Sequence, residues 1–257
     1  MKLCFTTLAY PELSLGEVLE RAVRMGFDGV ELRVAEDGVH LKPEAPLQPS
    51  QLQLIKSYGL PIPVLSSYLR LTDLYGSGGE PATSLAANLL KLASELQARF
   101  IRVYGGETAP GFEKIAEGYK FLKTLAEKYG VEILVETHDH LAILPNIERL
   151  LRLSENVKFL YDPANIIYAG SPHAEAFKVL RNKIMHVHLK DFVVSGGMRV
   201  FTRPGEGVVP LREIVSDLRG AGYEGFLSVE WERFWHRDLL SGDKILPIYR
   251  DYLRSLI

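Results

Sequence analysis

The sequence has a single cysteine, Cys4, among its 257 residues. One cysteine excludes an intramolecular disulfide and any zinc site built from several thiolates, and its apolar neighbours predict a buried thiol. The chain also has no run of about 20 apolar residues that could span a bilayer. Its first apolar stretch, interrupted by Pro11 and Glu12, is too short for a signal peptide. We therefore expect a cytoplasmic protein with no membrane partner.

An excess of charge of either sign is missing as well. Thirty basic and 32 acidic residues give a formal charge of −2, which predicts no nucleic-acid partner, although a local patch could hide in the sum. Apolar residues make up 47% of the chain and charged residues 24%, which excludes a disordered or low-complexity protein. The length is compatible with two domains or with one barrel.

What the sequence does have is an alternation of strand-like and helix-like segments. Eight runs rich in Val, Ile, Phe and Tyr predict strands at 2–8, 29–34, 61–67, 100–106, 131–137, 157–162, 184–190 and 225–231. Apolar spacing near 3.6 residues and capping residues predict helices at 14–25, 50–58, 83–98, 112–129, 145–153, 174–180, 211–219 and 246–256. Eight such units predict a (β/α)8 TIM barrel that forms one domain over residues 1–257. A doubly wound open sheet is the alternative, but the first strand is not followed by GxGxxG.

Four consecutive predicted strands end in a possible metal ligand: Glu136, Asp162, His188 and Glu230. The carboxyl ends of barrel strands meet at one face, and neighbouring strands lie only about 4.8 Å apart. Three carboxylates that converge there would repel one another unless a cation lay among them. Oxygen ligands with one imidazole suit one divalent metal ion, either Mn²⁺, Mg²⁺ or Co²⁺, with Zn²⁺ possible.

The segments that carry these residues resemble the xylose-isomerase-like TIM barrels, the sugar phosphate isomerase/epimerase family. The similarity lies in VETHDHL, YDPANIIYAG, HVHLKD, RPGEGVVP and GYEGFLSVEWE, from the fourth strand to the end of the chain. The resemblance implies that the four residues above hold the metal and that Glu136 and Glu230 are also the catalytic acid and base. It implies a sugar or sugar phosphate isomerase or epimerase that transfers a proton through a metal-stabilised enediolate.

One position departs from the family pattern and keeps a second reaction open. The epimerases often have Asp-x-x-His after the sixth strand, whereas residues 162–165 here are Asp-Pro-Ala-Asn, and asparagine cannot carry a proton. A dehydratase or lyase for a sugar- or cyclitol-derived substrate is therefore the alternative. A multi-zinc nuclease is disfavoured because the second to fourth strands end near Arg33, Ser66 and Tyr104. A sugar-binding barrel without catalysis is disfavoured by the complete set of ligands.

Five further side chains are predicted to contact a small carbohydrate substrate: His138, Asn165, Lys190, Arg203 and Trp231. Lys190 and Arg203 could meet an anionic oxygen, and Arg203 lies in the loop after the seventh strand, where barrels often bind phosphate. Trp231 could form a wall of the sugar site.

Three other expectations concern the surroundings of the site. Glu31 and Arg33 share one face of the second strand, which predicts that they pair with each other. The glycine-rich loop 72–82 could close over a substrate as a lid. The assembly is expected to be a homo-oligomer, either a dimer or a tetramer.

Overall fold

The computed structural model describes residues 1–44, 46–74, 79–107 and 111–257. Its strands are β1 (Lys2–Phe5), β2 (Leu32–Arg33), β3 (Val64–Arg70), β4 (Phe100–Tyr104), β5 (Glu132–Glu136), β6 (Phe159–Tyr161), β7 (Ile184–Leu189), β8 (Asp191–Ser195), β9 (Met198–Thr202) and β10 (Phe226–Val229). Eight of them form a parallel sheet in the order β1-β10-β7-β6-β5-β4-β3-β2. A parallel bridge between Thr6 and Glu31 joins the two end strands and closes the sheet. The predicted (β/α)8 barrel is confirmed, and its extent as one domain over 1–257 stays a prediction.

The helices surround this sheet. They are α1 (Leu15–Met25), α2 (Pro49–Ser57), α3 (Gly79–Glu95), α4 (Phe112–Glu127), α5 (Leu144–Leu153), α6 (Pro163–Tyr168), α7 (His173–Leu180), α8 (Leu211–Gly220) and α9 (Gly242–Arg254). The predicted capping box forms at Ser14, whose hydroxyl accepts from the Glu17 backbone N–H while the Glu17 side chain accepts from the Ser14 N–H. None of the described helices is long and apolar enough to cross a membrane.

Two elements were not predicted, and both lie beside the carboxyl ends of the strands. The antiparallel hairpin of β8 and β9 follows β7 directly. The short helix α6 begins at Asp162, whose side chain accepts from the Asn165 backbone N–H. The buried carboxylate of Asp191 accepts from the backbone N–H groups of Gly205, Gly207 and Val209 and so fixes the loop after the hairpin. Of the proposed lid at 72–82, residues 75–78 lie outside the described residues.

The barrel interior is apolar at one end and polar at the other. Its apolar layer consists of the buried side chains of Val64, Phe100, Leu134 and Leu160, with Met185 packed against them. Val64 and Phe100 begin β3 and β4, and Leu134 and Leu160 lie in the middle of β5 and β6, whereas Glu136 ends β5 and Asp162 follows β6. The apolar layer therefore leaves the carboxyl-terminal half of the barrel free for a polar site.

Candidate metal centre

The four predicted ligands converge on one point. Each of Glu136, Asp162, His188 and Glu230 offers a ligand atom, and these atoms all lie within 4.8 Å of one another. All four residues are buried, with Glu230 the most accessible at 6% exposed. His188 Nδ1 lies 3.2 Å from Glu230 Oε1 and 3.7 Å from Glu136 Oε1.

Strand register explains why these side chains meet. Glu136 is the last residue of β5, and Asp162 follows β6 as the N-cap of α6. In the pairing of β7 with β10, His188 lies opposite Ser228, and the Glu230 N–H donates to the Leu189 carbonyl. Side chains two residues apart share a face of a strand, so Glu230 points into the barrel above Ser228.

The donor set fits a divalent cation. Among the described residues, His188 Nδ1 is a buried side-chain atom without a hydrogen-bond partner, and it faces carboxylate oxygens of Glu230 and Glu136 at 3.2 and 3.7 Å. A buried polar atom normally has a partner, and a metal ion between the imidazole and these carboxylates would supply one. Three carboxylates with one imidazole suit Mn²⁺, Mg²⁺ or Co²⁺, and also Zn²⁺.

The charge around the imidazole is strongly negative. Burial by itself would lower the pKa of His188, but Glu230 and Glu31 raise it well above its usual value. A cation that binds Nδ1 must displace any proton held there, so metal affinity is expected to fall in acid.

Glu31 contacts a candidate ligand, and sequence reasoning placed it wrongly. Its carboxylate is completely buried and accepts hydrogen bonds from His188 Nε2 and His186 Nε2, both at 2.8 Å, and from the Ser66 hydroxyl. Burial would raise the pKa of Glu31, but the two histidines lower it well below its usual value. This ionised carboxylate holds the outer nitrogen of His188 and leaves Nδ1 facing the metal centre.

The expected pair between Glu31 and Arg33 is wrong. Arg33 instead forms a two-point ion pair with Asp37, with distances of 2.6 and 2.8 Å, and donates to the Tyr68 hydroxyl at 2.7 Å. Its guanidinium also lies over the Phe234 ring, 3.9 Å from the centroid. Glu31 points towards His186 inside the barrel, whereas Arg33 pairs with Asp37 at the barrel mouth.

Lys190 lies against the acidic side of the centre. Its ammonium group is 2.8 Å from Asp162 Oδ2 and 2.8 Å from Glu232 Oε1, and it also contacts Glu230 Oε2. Burial would lower the pKa of Lys190, but these carboxylates raise it well above its usual value. The residue is therefore a buried cation that offsets part of the acidic charge.

Arg102 provides a second buried cation on the opposite side. Its Nε lies 3.3 Å from Glu136 Oε2, and its guanidinium is 4.3 Å from the centroid of the Tyr104 ring. Burial would raise the pKa of Glu136, but Arg102 lowers it. Each of the two glutamates therefore has its own cationic neighbour.

Comparison with known proteins agrees with this architecture. A family model described as a xylose isomerase-like TIM barrel matches residues 19–255. The chain belongs to this family. It is 30% identical over 145 residues to an inosose dehydratase of Geobacillus thermodenitrificans, an alignment that covers 49% of each chain. The chain thus spans about half the length of the curated relatives it matches.

Solved structures share the whole fold at low sequence identity. A probable 3-DHS dehydratase, AsbF, from Bacillus anthracis has a TM-score of 0.80 at 23% identity over 99% of both chains. The IOLI protein, solved with a bound zinc atom, has a TM-score of 0.75 at 21% identity over 100% of this chain and 98% of that one. These likenesses show the barrel fold.

Lys190 and two others of the five predicted substrate contacts, His138 and Asn165, lie beside the candidate metal centre of this xylose-isomerase-like barrel. His138, two residues beyond Glu136, packs against Tyr104 in a tilted arrangement with a centroid distance of 4.7 Å. Asn165 donates from its side-chain amide to Asp162 Oδ2 at 3.0 Å and accepts from Arg199 at 2.7 Å. Both groups of the Asn165 amide are therefore engaged by protein. Substrate contact by either residue stays a prediction.

The other two lie outside the centre. Arg203 is exposed in the loop after β9, where its carbonyl accepts from the Glu206 N–H. Trp231 is only 2% exposed, packs against Phe201 and Tyr249, and donates to the Leu240 carbonyl. The proposed sugar wall at Trp231 is corrected to a core position, because alternation along the strand turns this ring away from the face that Glu230 occupies.

Proposed function

We propose that this protein is a divalent-metal-dependent sugar or sugar phosphate isomerase or epimerase. The observation that carries the proposal is the arrangement of Glu136 and Glu230, which approach His188 Nδ1 from two strands of the barrel at 3.7 and 3.2 Å. Two ionised carboxylates on either side of one point can remove a proton from a carbon atom and return it at another position or face.

A divalent ion held by Glu136, Asp162, His188 and Glu230 would polarise a substrate carbonyl and stabilise the charge that develops on its oxygen. The chain's own residues supply the proton transfer. Glu230 is our candidate for the base. His188 and Lys190 hold its pKa well below its usual value against the effect of burial, so its carboxylate is ionised and can accept a proton when substrate binds.

The surrounding side chains orient the substrate and exclude water. The rings of Tyr104 and His138 pack against each other near Glu136, and the ammonium group of Lys190 lies beside Glu230. Asp139 raises the pKa of His138 although burial opposes it, so this imidazole can donate a proton to a substrate oxygen.

A second candidate is a dehydratase that removes the same proton and then expels a neighbouring hydroxyl as water. The sequence similarity to inosose dehydratases favours it. So does Asn165, whose amide is bound to Asp162 and Arg199 and replaces the histidine that would contact substrate oxygen in the epimerases.

Incubation in D₂O with Mn²⁺ distinguishes the two reactions. The substrates are a panel of ketoses, their phosphates and a cyclitol ketone, and the products are read by mass spectrometry and NMR. An isomer of unchanged composition that carries solvent deuterium supports the isomerase or epimerase, and a product lighter by one water supports the dehydratase. A protein that binds the metal but forms neither an isomer nor a product lighter by one water from any of these substrates contradicts both.

A further inference from the structure

A large cavity opens at the end of the barrel opposite the metal centre. Its volume is about 1030 Å³, and residues at the amino ends of the strands line it, among them Lys2, Pro63, Phe100, Ile184 and Phe226. The layer of Val64, Phe100, Leu134 and Leu160 lies above it inside the barrel. The metal ligands end the strands, so this cavity is separate from the proposed active site.

The charge at this cavity differs from that of the whole chain. The formal charge of the protein is −2, but the ionisable side chains that line the cavity are Lys2, Lys56, Arg99, Arg181, Glu224 and the buried His186. Arg99 pairs with Glu132 at 3.1 Å. In the part of the chain that the structure describes, the other three cations have no carboxylate within ion-pair distance. A low-dielectric recess with unpaired cations at its rim attracts anions.

The walls are suited to an apolar body. Leu52, Ile55 and Leu60 line the cavity from α2 and the segment before β3, and the rings of Phe100 and Phe226 line it from the first residues of β4 and β10. Lys2 lies over the Phe226 ring, with its ammonium 5.7 Å from the centroid. The volume is at the upper end of the range for small-molecule sites, which are mostly apolar with a few placed polar groups.

One polar group is built into this wall. His186 lines the cavity, is 1% exposed, and has its Nε2 fixed by Glu31 at 2.8 Å. The same carboxylate holds His188, so the cavity wall is two hydrogen bonds away from a ligand of the metal centre. A molecule in the cavity would therefore meet a rigid, oriented imidazole at its inner end.

We propose that this amino-terminal cavity binds a small organic anion with an apolar body of the size of one or two rings. The rim cations Lys2, Lys56 and Arg181 precede or begin different strands around the barrel and make the mouth of the cavity positive, so that it attracts the anionic group. The leucine, isoleucine and phenylalanine side chains enclose the body. This site is additional to the metal centre and does not depend on the reaction proposed there.

The test is titration calorimetry on the full chain with three probes of similar shape: 1-naphthyl phosphate, 1-naphthoate and uncharged 1-naphthol. We expect one molecule of an anionic probe per chain at the cavity, and at least about tenfold weaker binding of the naphthol. Comparison of the two anions shows whether phosphate or carboxylate is preferred. A crystal soaked with the tighter probe locates it.

The double variant Lys56→Glu/Arg181→Glu reverses two exposed rim charges and is expected to weaken the anionic probes by at least about tenfold. The matched control, Lys120→Glu/Lys123→Glu, makes the same change of net charge on the exposed face of α4, away from the cavity. It should leave probe binding unchanged. If both variants weaken binding of the anionic probes equally, the effect is one of general charge. If both variants bind the probes as tightly as the unchanged protein, the probes bind at another site. Either result overturns the proposal, as does a soaked probe found elsewhere.

Discussion

The two ends of this barrel differ in how their charged side chains are placed: those at the carboxyl end are buried and paired, and those at the amino end are exposed at the rim of a cavity. At the carboxyl end, Glu136, Asp162 and Glu230 are buried together, and buried cations and imidazoles contact each of them. At the amino end, three rim cations have no carboxylate within ion-pair distance in the described part of the chain, and they line an open, largely apolar cavity. The charges at the closed end therefore contact one another, whereas those at the rim of the open end face solvent.

The difference shows why a net charge says little about a site. The near-neutral total of −2 combines an acidic centre and a basic rim at opposite ends of one barrel. Burial decides how much each charge matters, because an unpaired buried charge is costly and an exposed one is screened by solvent. Substitutions of charged residues at the carboxyl end should therefore change activity and stability more than substitutions at the amino end.

The largest effect is expected for Glu230→Gln at the carboxyl end. Loss of the proposed base should lower kcat by about 10²- to 10⁴-fold on whichever substrate is turned over. Circular dichroism should show an intact fold, and the exposed control Glu127→Gln should keep full activity. Full activity of the Glu230 variant would remove this residue from the mechanism.

Removal of the Lys190 charge should be the next largest effect. Lys190→Met leaves Asp162, Glu230 and Glu232 without their common cation, and loss of one partner from a buried ion pair typically costs about 3–5 kcal/mol. Urea unfolding in the presence of a chelator should show this loss, and added Mn²⁺ should recover part of it. The exposed variant Lys91→Met, which breaks only a surface pair with Glu95, should cost less than about 1 kcal/mol. Equal stability of the two variants would contradict the account of the acidic centre.

Glu31→Gln tests the link between the two ends. The amide cannot hold both histidines as the ionised carboxylate does, so affinity for Mn²⁺ should fall by about 10- to 100-fold. Calorimetric titration of the metal measures this change. The exposed neighbour Glu36 provides a matched control, because Glu36→Gln removes the same charge without touching His186 or His188. Unchanged affinity in the Glu31 variant would make that residue purely structural.

The smallest effect is expected at the amino end, in the ion pair of Asp28 with Arg254. Burial would raise the pKa of Asp28, but Arg254 and the Leu3 N–H lower it. A lowered carboxylate pKa contributes stability above its unfolded value of about 3.9, and this contribution is lost as the pH falls through the folded pKa.

Because the Asp28 side chain is 32% exposed, Asp28→Asn should cost only about 1 kcal/mol or less at neutral pH. Urea unfolding should show the cost disappearing in acid below the folded pKa. Asp238→Asn, an exposed carboxylate without such a pair, should show no pH-dependent difference. A cost for the Asp28 variant that is the same at both pH values would contradict the electrostatic explanation.

Most of the fold was predictable because its signals are local. Alternating strand and helix patterns located the eight parallel strands and eight of the helices. The four candidate ligands were found because each lies at or just beyond the carboxyl end of a barrel strand, and these ends meet at one face. The hairpin of β8 and β9 was missed because β8 follows β7 without a break, although its own two-residue turn, Gly196-Gly197 with positive φ at both residues, is a hairpin signal in the sequence. Helix α6 is only six residues long, too short for a periodic pattern.

The surroundings of the metal centre were harder to predict. The alternation of side chains along a strand placed Glu31 and Arg33 on one face. Whether they pair with each other or with residues across the barrel depends on how far inside the barrel each side chain lies, and the sequence of one strand does not show this. Glu31 reaches His186 and His188, which are more than 150 positions away in the chain. Trp231 was misplaced because an aromatic residue next to a ligand fits a sugar wall and a core position equally well in sequence.

The central claim is that four strand-end side chains bind one divalent ion, and anomalous scattering from a crystal soaked in Mn²⁺ tests it directly. The account predicts one strong peak within about 2.0–2.4 Å of Glu136, Asp162, Glu230 and the Nδ1 atom of His188. It also predicts that His188 Nε2 stays hydrogen-bonded to Glu31. A peak at another place, or no peak among these four residues at saturating Mn²⁺, would contradict it.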